Sequence, residues 1–464
     1  MKRLSHLTFG FLALFLLAFV ATAAPARAAG GMEVIRDQEI EQDLRTFCRP
    51  IFDQAGVSPE AVRFILISQN ELNAFVAGGQ NIFIFTGLIL ATDNPAELVG
   101  VVAHETGHIA HGDLFRMKEE IRNVSLETLL MSVLGIAAAA GASSGDAGAA
   151  VLSGASTYGL RDILRHSRAA ESAADQAGVR FLEESHLPVS GFLSFMEKLK
   201  DQELLPESQQ SQYVQTHPLT QDRINFLENM VAQSGAQNYQ TPAAWTDMHA
   251  RMKAKLLGYL FPDRMLQDKG TSIASQYGRV IATYRQGRAD AALNMLDPLL
   301  KAEPKNPYFY ELRGQILFEH ARVDDAVAAY AKAVSYAPSA GLIRSAYGHA
   351  LLESKTDTTA RTAEAVRQFE TALQTETRDP SIHRFLAIAY GKQGNEGASR
   401  LHMAEEALMQ NKLEFAVRNA KLAKAALSKN SAGWQRADDI LDTAFKARKD
   451  QKKDGRGGGD DDTP

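Results

Sequence analysis

The rhythm of apolar and polar positions changes three times along the chain. A nearly unbroken apolar block, Leu7 to Val20, comes first, behind Lys2 and Arg3. From Gly31 to about Pro262, helix and strand rhythms mix. Ile, Leu and Phe recur at helical spacing from Glu33 to Gln54, and Val62 to Ser68 is β-rich. Asn73 to Phe85 reads as two short strands around Gly78-Gly79, the second being Ile82-Phe83-Ile84-Phe85. Thr86 to Thr92 predicts a helix or turn. Asn94-Pro95 then opens a helix over Ala96 to Leu114, with Pro at an early helical position. Leu129 to Ala142 is apolar and rich in small residues, and Ser143-Ser144-Gly145-Asp146 interrupts it. At this length it predicts a buried helix pair, with a membrane-facing or gating element as the alternative.

From about Ser272 only helical rhythm remains, and it repeats. Pro304 and Pro338, Gly314 and Gly348, and Ala292 and Ala326 are each 34 residues apart. That period, with small residues at fixed places and Pro after each unit, is the tetratricopeptide pattern. Small residues let two antiparallel helices approach, and Pro cannot continue the second one. The next unit stretches, with Pro380 lying 42 residues after Pro338, which implies an insertion at Thr356 to Thr362. Three to four repeats are expected, with Leu413 to Leu427 and Trp434 to Phe445 capping the stack.

Composition narrows the class. The 464 residues are 45% hydrophobic and 23% charged, enough for two or three folding units. A net charge of −5 argues against nucleic acid as a partner. Cys48 is the single cysteine, so the chain has neither a disulfide framework nor a cysteine metal cluster. The apolar start, followed by Ala26-Arg27-Ala28, reads as an export signal cleaved after Ala28. The Lys-, Asp- and Gly-rich end from Lys446 is expected to be disordered.

The candidate chemistry sits in His104-Glu105-Thr106-Gly107-His108. Two histidines four apart on a helix share one face, so both rings can reach one Zn²⁺ at about 2.0–2.1 Å. Glu105 points beside them, where a carboxylate can take and return a proton. A third ligand must come from elsewhere. His111 lies about 10 Å along the axis from His104 at helical rise, too far to share the ion. Glu171 is the candidate, on a helical run with Asp175 four residues later. Two neighbouring carboxylates need a cation or donor between them. Glu171 on the metal and Asp175 on a ligand imidazole N–H would meet that need.

At this point the chain resembles the HtpX/BepA-type gluzincin zinc metalloendopeptidases. The matching residues are Asn73-Ala74-Phe75 with Gly78-Gly79, Thr86-Gly87-Leu88, the His104 to His108 helix, Glu171 with Ala174-Asp175, and Thr216-His217-Pro218 followed by Arg223. The likeness covers about Ile35 to Leu227. The export signal and repeats place it nearest the BepA-like periplasmic branch. HtpX-like members carry membrane-spanning segments, and none is read here. The resemblance implies Zn²⁺ held by His104, His108 and Glu171, with Glu105 as base. It also implies that His217 lies close to the metal, either filling the open position and holding the enzyme inactive or stabilising the oxyanion. Arg223 is a weaker partner candidate for Asp175 or Glu171. Ile82 to Phe85 is a candidate edge strand that takes substrate as an added strand.

The expected fold class is α+β: a mostly helical zincin-like domain with a small β-sheet, then an all-α tetratricopeptide solenoid. The expected division is a signal peptide at 1–28, a metallopeptidase domain at 29–262, repeats at 263–445 and a tail at 446–464. The expected function is periplasmic zinc-dependent cleavage of misfolded or stalled outer-membrane proteins, with chaperone or assembly activity. The implied partners are unfolded envelope proteins and, through the repeats, the outer-membrane protein assembly machinery, with peripheral membrane contact also open. The alternative is a chaperone or assembly adaptor with a regulatory or vestigial metal site.

Overall fold

The computed structural model describes residues 33–77, 79–112, 168–206, 210–233, 239–356 and 358–454. The expected signal peptide, the Leu129 to Ala142 stretch and the last ten residues of the tail lie outside them. Among the described residues no helix is long and apolar enough to cross a membrane.

The first unit is built on four strands: β1 (Glu33–Ile35), β2 (Arg63–Ser68), β3 (Ala74–Ala77) and β4 (Asn81–Phe85). Their order in the sheet is β1-β2-β4-β3. β2 and β4 run parallel, with Ile65 opposite Phe83, and β3 and β4 form an antiparallel hairpin with Phe75 opposite Phe83. Two expectations change here. Glu33 to Ile35 is a strand, pairing antiparallel with β2, rather than the start of a helix. The helix α1 (Gln38–Ala55) begins only after Asp37, whose side chain accepts a hydrogen bond from Ile40 N at 2.9 Å. Ile82 to Phe85 is not an edge strand: β4 pairs on both sides and all its residues are buried. The edge strands are β1 and β3.

Five helices complete the scaffold of the site. They are α2 (Thr86–Ala91), α3 (Pro95–Ala110), α4 (Arg168–Glu184), α5 (Ser190–Leu199) and, after a 3-10 turn, α6 (Gln212–Thr216). The sequence places the start of α3 for a physical reason. Asn94 is extended, its side chain accepts from Glu97 N at 3.1 Å, and Pro95 follows. Such a cap contributes roughly 1 kcal/mol. α3 is buried on every side from Leu98 to His108, which accounts for its nearly continuous apolar sequence.

Three further helices, α7 (Gln221–Gln233), α8 (Ala243–Leu260) and α9 (Pro262–Leu266), lead to the repeats. The solenoid is five helix pairs. They are α10 (Ile273–Arg285) with α11 (Ala289–Ala302), α12 (Pro307–Glu319) with α13 (Val323–Tyr336), α14 (Gly341–Glu353) with α15 (Thr358–Ala372), α16 (Pro380–Lys392) with α17 (Glu396–Met409), and α18 (Leu413–Ala426) with α19 (Ala432–Asp454). This exceeds the three to four repeats expected, because the capping helices form a full pair. α19 also continues to Asp454, into the segment expected to be disordered.

The regular spacing has a packing cause. A Cβ at Gly314 would lie 2.8 Å from the Tyr330 ring, and one at Gly348 would lie 2.7 Å from the Phe369 ring. The irregular unit is also explained. Successive first helices begin at Pro307, Gly341 and Pro380, which are 34 and 39 residues apart. Pro380 therefore corresponds to Pro307 at a helix start and not to Pro338, and the insertion is five residues. It falls before Ala365, as an extra turn at the start of α15.

The repeats hold the first unit through α1 and α8. Lys255 on α8 pairs with Asp37 at 2.8 Å and Glu39 at 3.1 Å, and Tyr277 on α10 donates to Glu39 at 3.0 Å. Farther along, Arg36 pairs with Glu376 at 2.6 Å and Leu342 N donates to Gln38 Oε1 at 3.1 Å. Lys255 and Glu39 are buried, so neither has water to replace its partner.

Candidate metal centre

α3 presents His104 and His108 on one face, and α4 crosses it. The crossing is close because both helices are smooth there. A Cβ at Gly107 would lie 2.7 Å from Ala174 O, and one at Gly178 would lie 3.1 Å from His104 N. Glycine at a free position of the His-Glu motif thus brings Glu171 to the histidines. A methyl group there would part the helices at a cost of about 1–3 kcal/mol.

Four buried side chains converge: His104, His108, Glu171 and His217. His104 Nε2 is 3.2 Å from His108 Nε2, 3.4 Å from Glu171 Oε2 and 3.4 Å from His217 Nδ1. Glu171 Oε1 is 3.4 Å from His108 Nε2 and 3.1 Å from His217 Nδ1. Ligands at about 2.0–2.1 Å from one tetrahedral ion stand about 3.3–3.4 Å from each other. The quoted contacts, 3.1–3.4 Å, are of that size, and one donor atom from each of the four side chains lies within 4.8 Å of the others.

The protonation states fit a cation. Burial pushes His217 down to about 4, which leaves a neutral imidazole able to offer a lone pair. Burial also works against charge on Glu171, but attraction to His217 and His104 holds it well below the usual carboxylate range. His104 is driven upward against its burial by Glu171 and Asp175. The cluster therefore draws positive charge, as proton or metal.

Asp175 Oδ1 is 2.9 Å from His104 Nδ1, which keeps that nitrogen protonated and turns Nε2 toward the cluster. Arg223 on α7 grips Asp175 with two bonds, Nε to Oδ2 at 2.6 Å and Nη2 to Oδ1 at 2.8 Å. Its third nitrogen, Nη1, is 2.7 Å from Glu171 Oε2 and donates to Pro218 O at 2.9 Å. One guanidinium thus ties together both α4 carboxylates and the residue after His217. Sequence spacing points to either pairing, and the structure contains both.

Glu105 stands outside the convergent four. Its Oε1 is 3.4 Å from His217 Nε2, and Oε2 has no hydrogen-bond partner. Burial pushes its pKa up to about 8. His111 caps the end of α3 with its ring 2.9 Å from Gly107 O, away from the cluster. Tyr213 is a residue of the site that the sequence reading misses. It lies one turn before His217 and its ring stacks on that histidine at 4.7 Å. An aromatic four residues before a His-Pro pair was the available signal.

A known family accounts for this arrangement. Residues 14–231 match the profile of peptidase family M48, and residues 277–342 match a tetratricopeptide repeat. The chain is thus similar to family M48 peptidases over the first stretch and to tetratricopeptide repeats over the second. The M48 match contains every residue of the convergent cluster. The chain is 28% identical over 306 residues to the beta-barrel assembly-enhancing protease of Escherichia coli O157:H7, covering 64% of this chain and 62% of that protein. It is 26% identical over 420 residues to the protein of that name from Yersinia pestis, covering 88% and 84%. The first match thus spans less than two thirds of the relative's length. A thermophilic tetratricopeptide protein of Thermus thermophilus aligns with 37% of this chain and 99% of its own, at 18% identity and a TM-score of 0.24.

Proposed function

We propose that the protein is a zinc-dependent endopeptidase whose metal is held by His104, His108 and Glu171. The observation that carries this reading is the convergence of those donors within metal-ligand reach of one another, beside the buried carboxylate of Glu105. Zinc at this place would supply Lewis acidity, lowering the pKa of a water to near 7 and drawing charge from a carbonyl oxygen. Glu105 takes the proton from the attacking water and returns it to the leaving amine. Asp175 fixes the His104 ring, and Arg223 fixes Asp175.

His217 would take a fourth position on that ion, because its Nδ1 lies 3.1 Å from Glu171 Oε1 and 3.4 Å from His104 Nε2. With that position filled, substrate would have to displace the ring. We therefore propose a closed form held shut by His217. The same filled position favours a second reading, a chaperone or assembly adaptor whose metal is regulatory.

β3 is the strand available beside α3 for an extended substrate, since β4 is internal. Unfolded chain suits an edge strand. The relatives' shared name, beta-barrel assembly-enhancing protease, supports stalled or misfolded outer-membrane proteins as substrates. We propose a periplasmic site of action, which the apolar start of the sequence supports. The repeats are the surface for a protein partner, for which we propose the outer-membrane protein assembly machinery.

Cleavage of unfolded casein tests the activity. Activity should disappear on dialysis against a chelator and return with one equivalent of Zn²⁺ per chain. Chelator-resistant cleavage would contradict a metallopeptidase. A zinc-bound protein that cleaves nothing, in wild type and in His217→Ala alike, would favour the chaperone reading.

A further inference from the structure

Tyr213 is anchored at the start of the short segment that delivers His217. Its backbone N–H donates to Leu72 O at 3.1 Å, and its carbonyl accepts from His217 N at 2.7 Å. The ring is wedged between the His217 ring and the edge of Phe195, whose centroid is 5.5 Å away. The residue is 1% exposed, yet its hydroxyl has no hydrogen-bond partner among the described residues.

A buried phenol without a partner carries a desolvation penalty that phenylalanine would avoid. The ring lies against His217, so the hydroxyl is a buried donor held within the site, with no partner among the described residues. Peptide hydrolysis asks for two polar partners besides the metal: an acceptor for the water's proton and a donor for the carbonyl oxygen as it gains charge. Glu105 is the acceptor. His217 has both ring nitrogens engaged, Nδ1 toward His104 and Glu171, and Nε2 toward Glu105. In that closed state the Tyr213 phenol is a buried donor of the site without a partner among the described residues.

We propose that Tyr213 is a catalytic residue whose hydroxyl donates a hydrogen bond to the scissile carbonyl oxygen as that oxygen becomes negative. The inference rests on the peptidase reading above. The water oxygen bonds to the carbonyl carbon, its proton passes to Glu105, and the carbonyl π electrons move onto the oxygen. The oxyanion then collapses, the C–N bond breaks, and the proton on Glu105 goes to the leaving nitrogen. Tyr213 keeps its proton throughout and loses only its hydrogen bond when the oxyanion is gone.

The test uses the zinc-loaded full chain and two peptide inhibitors of the same sequence, one a phosphonate and one a hydroxamate. The phosphonate carries tetrahedral anionic oxygens like the transition state, whereas the hydroxamate binds by chelation. Calorimetry should find Tyr213→Phe weakened at least about tenfold toward the phosphonate. Hydroxamate affinity, zinc content and melting temperature should be unchanged, and kcat should fall with KM constant. Equal phosphonate affinity in the two proteins would overturn the proposal. So would loss of zinc or of the fold in Tyr213→Phe, which would make the hydroxyl structural. Absence of cleavage by both wild type and His217→Ala would remove the peptidase reading instead, because the calorimetry reads the tyrosine without turnover.

Discussion

Glu105→Gln should retain one zinc per chain and lose at least about 10³-fold in cleavage of unfolded casein. Glutamine has the shape of glutamate but no basic oxygen, so the substitution removes proton transfer and little else. The separation of roles follows from geometry. The four convergent donors are His104, His108, Glu171 and His217, and Glu105 is not among them. Burial pushes its carboxyl to about 8, and a cation in the cluster would pull it back, leaving a group that can accept a proton and also release it. Zinc analysis and a gel or fluorescence assay on the same preparation check both halves. Loss of zinc would make Glu105 a ligand. Retained cleavage would place the base elsewhere.

His217→Ala should move the other way, raising casein cleavage by roughly 10- to 100-fold. The factor follows from population: an enzyme open about 1–10% of the time gains that much when the closed form is removed. His217 Nδ1 sits 3.1 Å from Glu171 Oε1 and 3.4 Å from His104 Nε2, where it would occupy a position on the proposed zinc. Its neutral imidazole is suited to hold that position. The segment carrying it is short: α6 is five residues, and His217 is its last cap. A fall in activity would instead assign His217 to the oxyanion, the other role that the resemblance allows. Lys255, Glu39 and Tyr277 tie the repeats to α1 and α8 of the unit that carries His217.

What can be read from the sequence is local. The Asn94-Pro95 cap, the hairpin around Gly79 and the His104 to His108 face depend on neighbours within a turn or two. The 34-residue spacing belongs to the same class, since each small residue reports a contact inside its own repeat. The errors are non-local. Glu33 to Ile35 carries helix-like spacing but becomes a strand because β2 offers it an edge. Ile82 to Phe85 has the pattern of a strand, yet its place inside the sheet is decided by β2 and β3 together. The Lys-rich end after Lys446 contains good helix formers, and α19 carries them onward to Asp454. Tyr213 and the double grip of Arg223 depend on how α6 and α7 dock against α4. A chain read one residue at a time does not contain that docking. Glu171 is accessible because charge chemistry constrains it: two carboxylates four apart among alanines need something positive, and His104 and Arg223 stand on that side.

Both the proposed activity and its proposed restraint turn on one zinc that His104, His108, Glu171 and His217 would hold. X-ray absorption at the zinc edge reads that coordination directly, on the purified full chain and on His217→Ala. One zinc per chain is expected, with four nitrogen or oxygen neighbours at about 2.0–2.1 Å. The imidazole scattering should correspond to three histidines in the wild type and two in the variant. No stoichiometric zinc, or the same histidine count in both proteins, would refute this coordination.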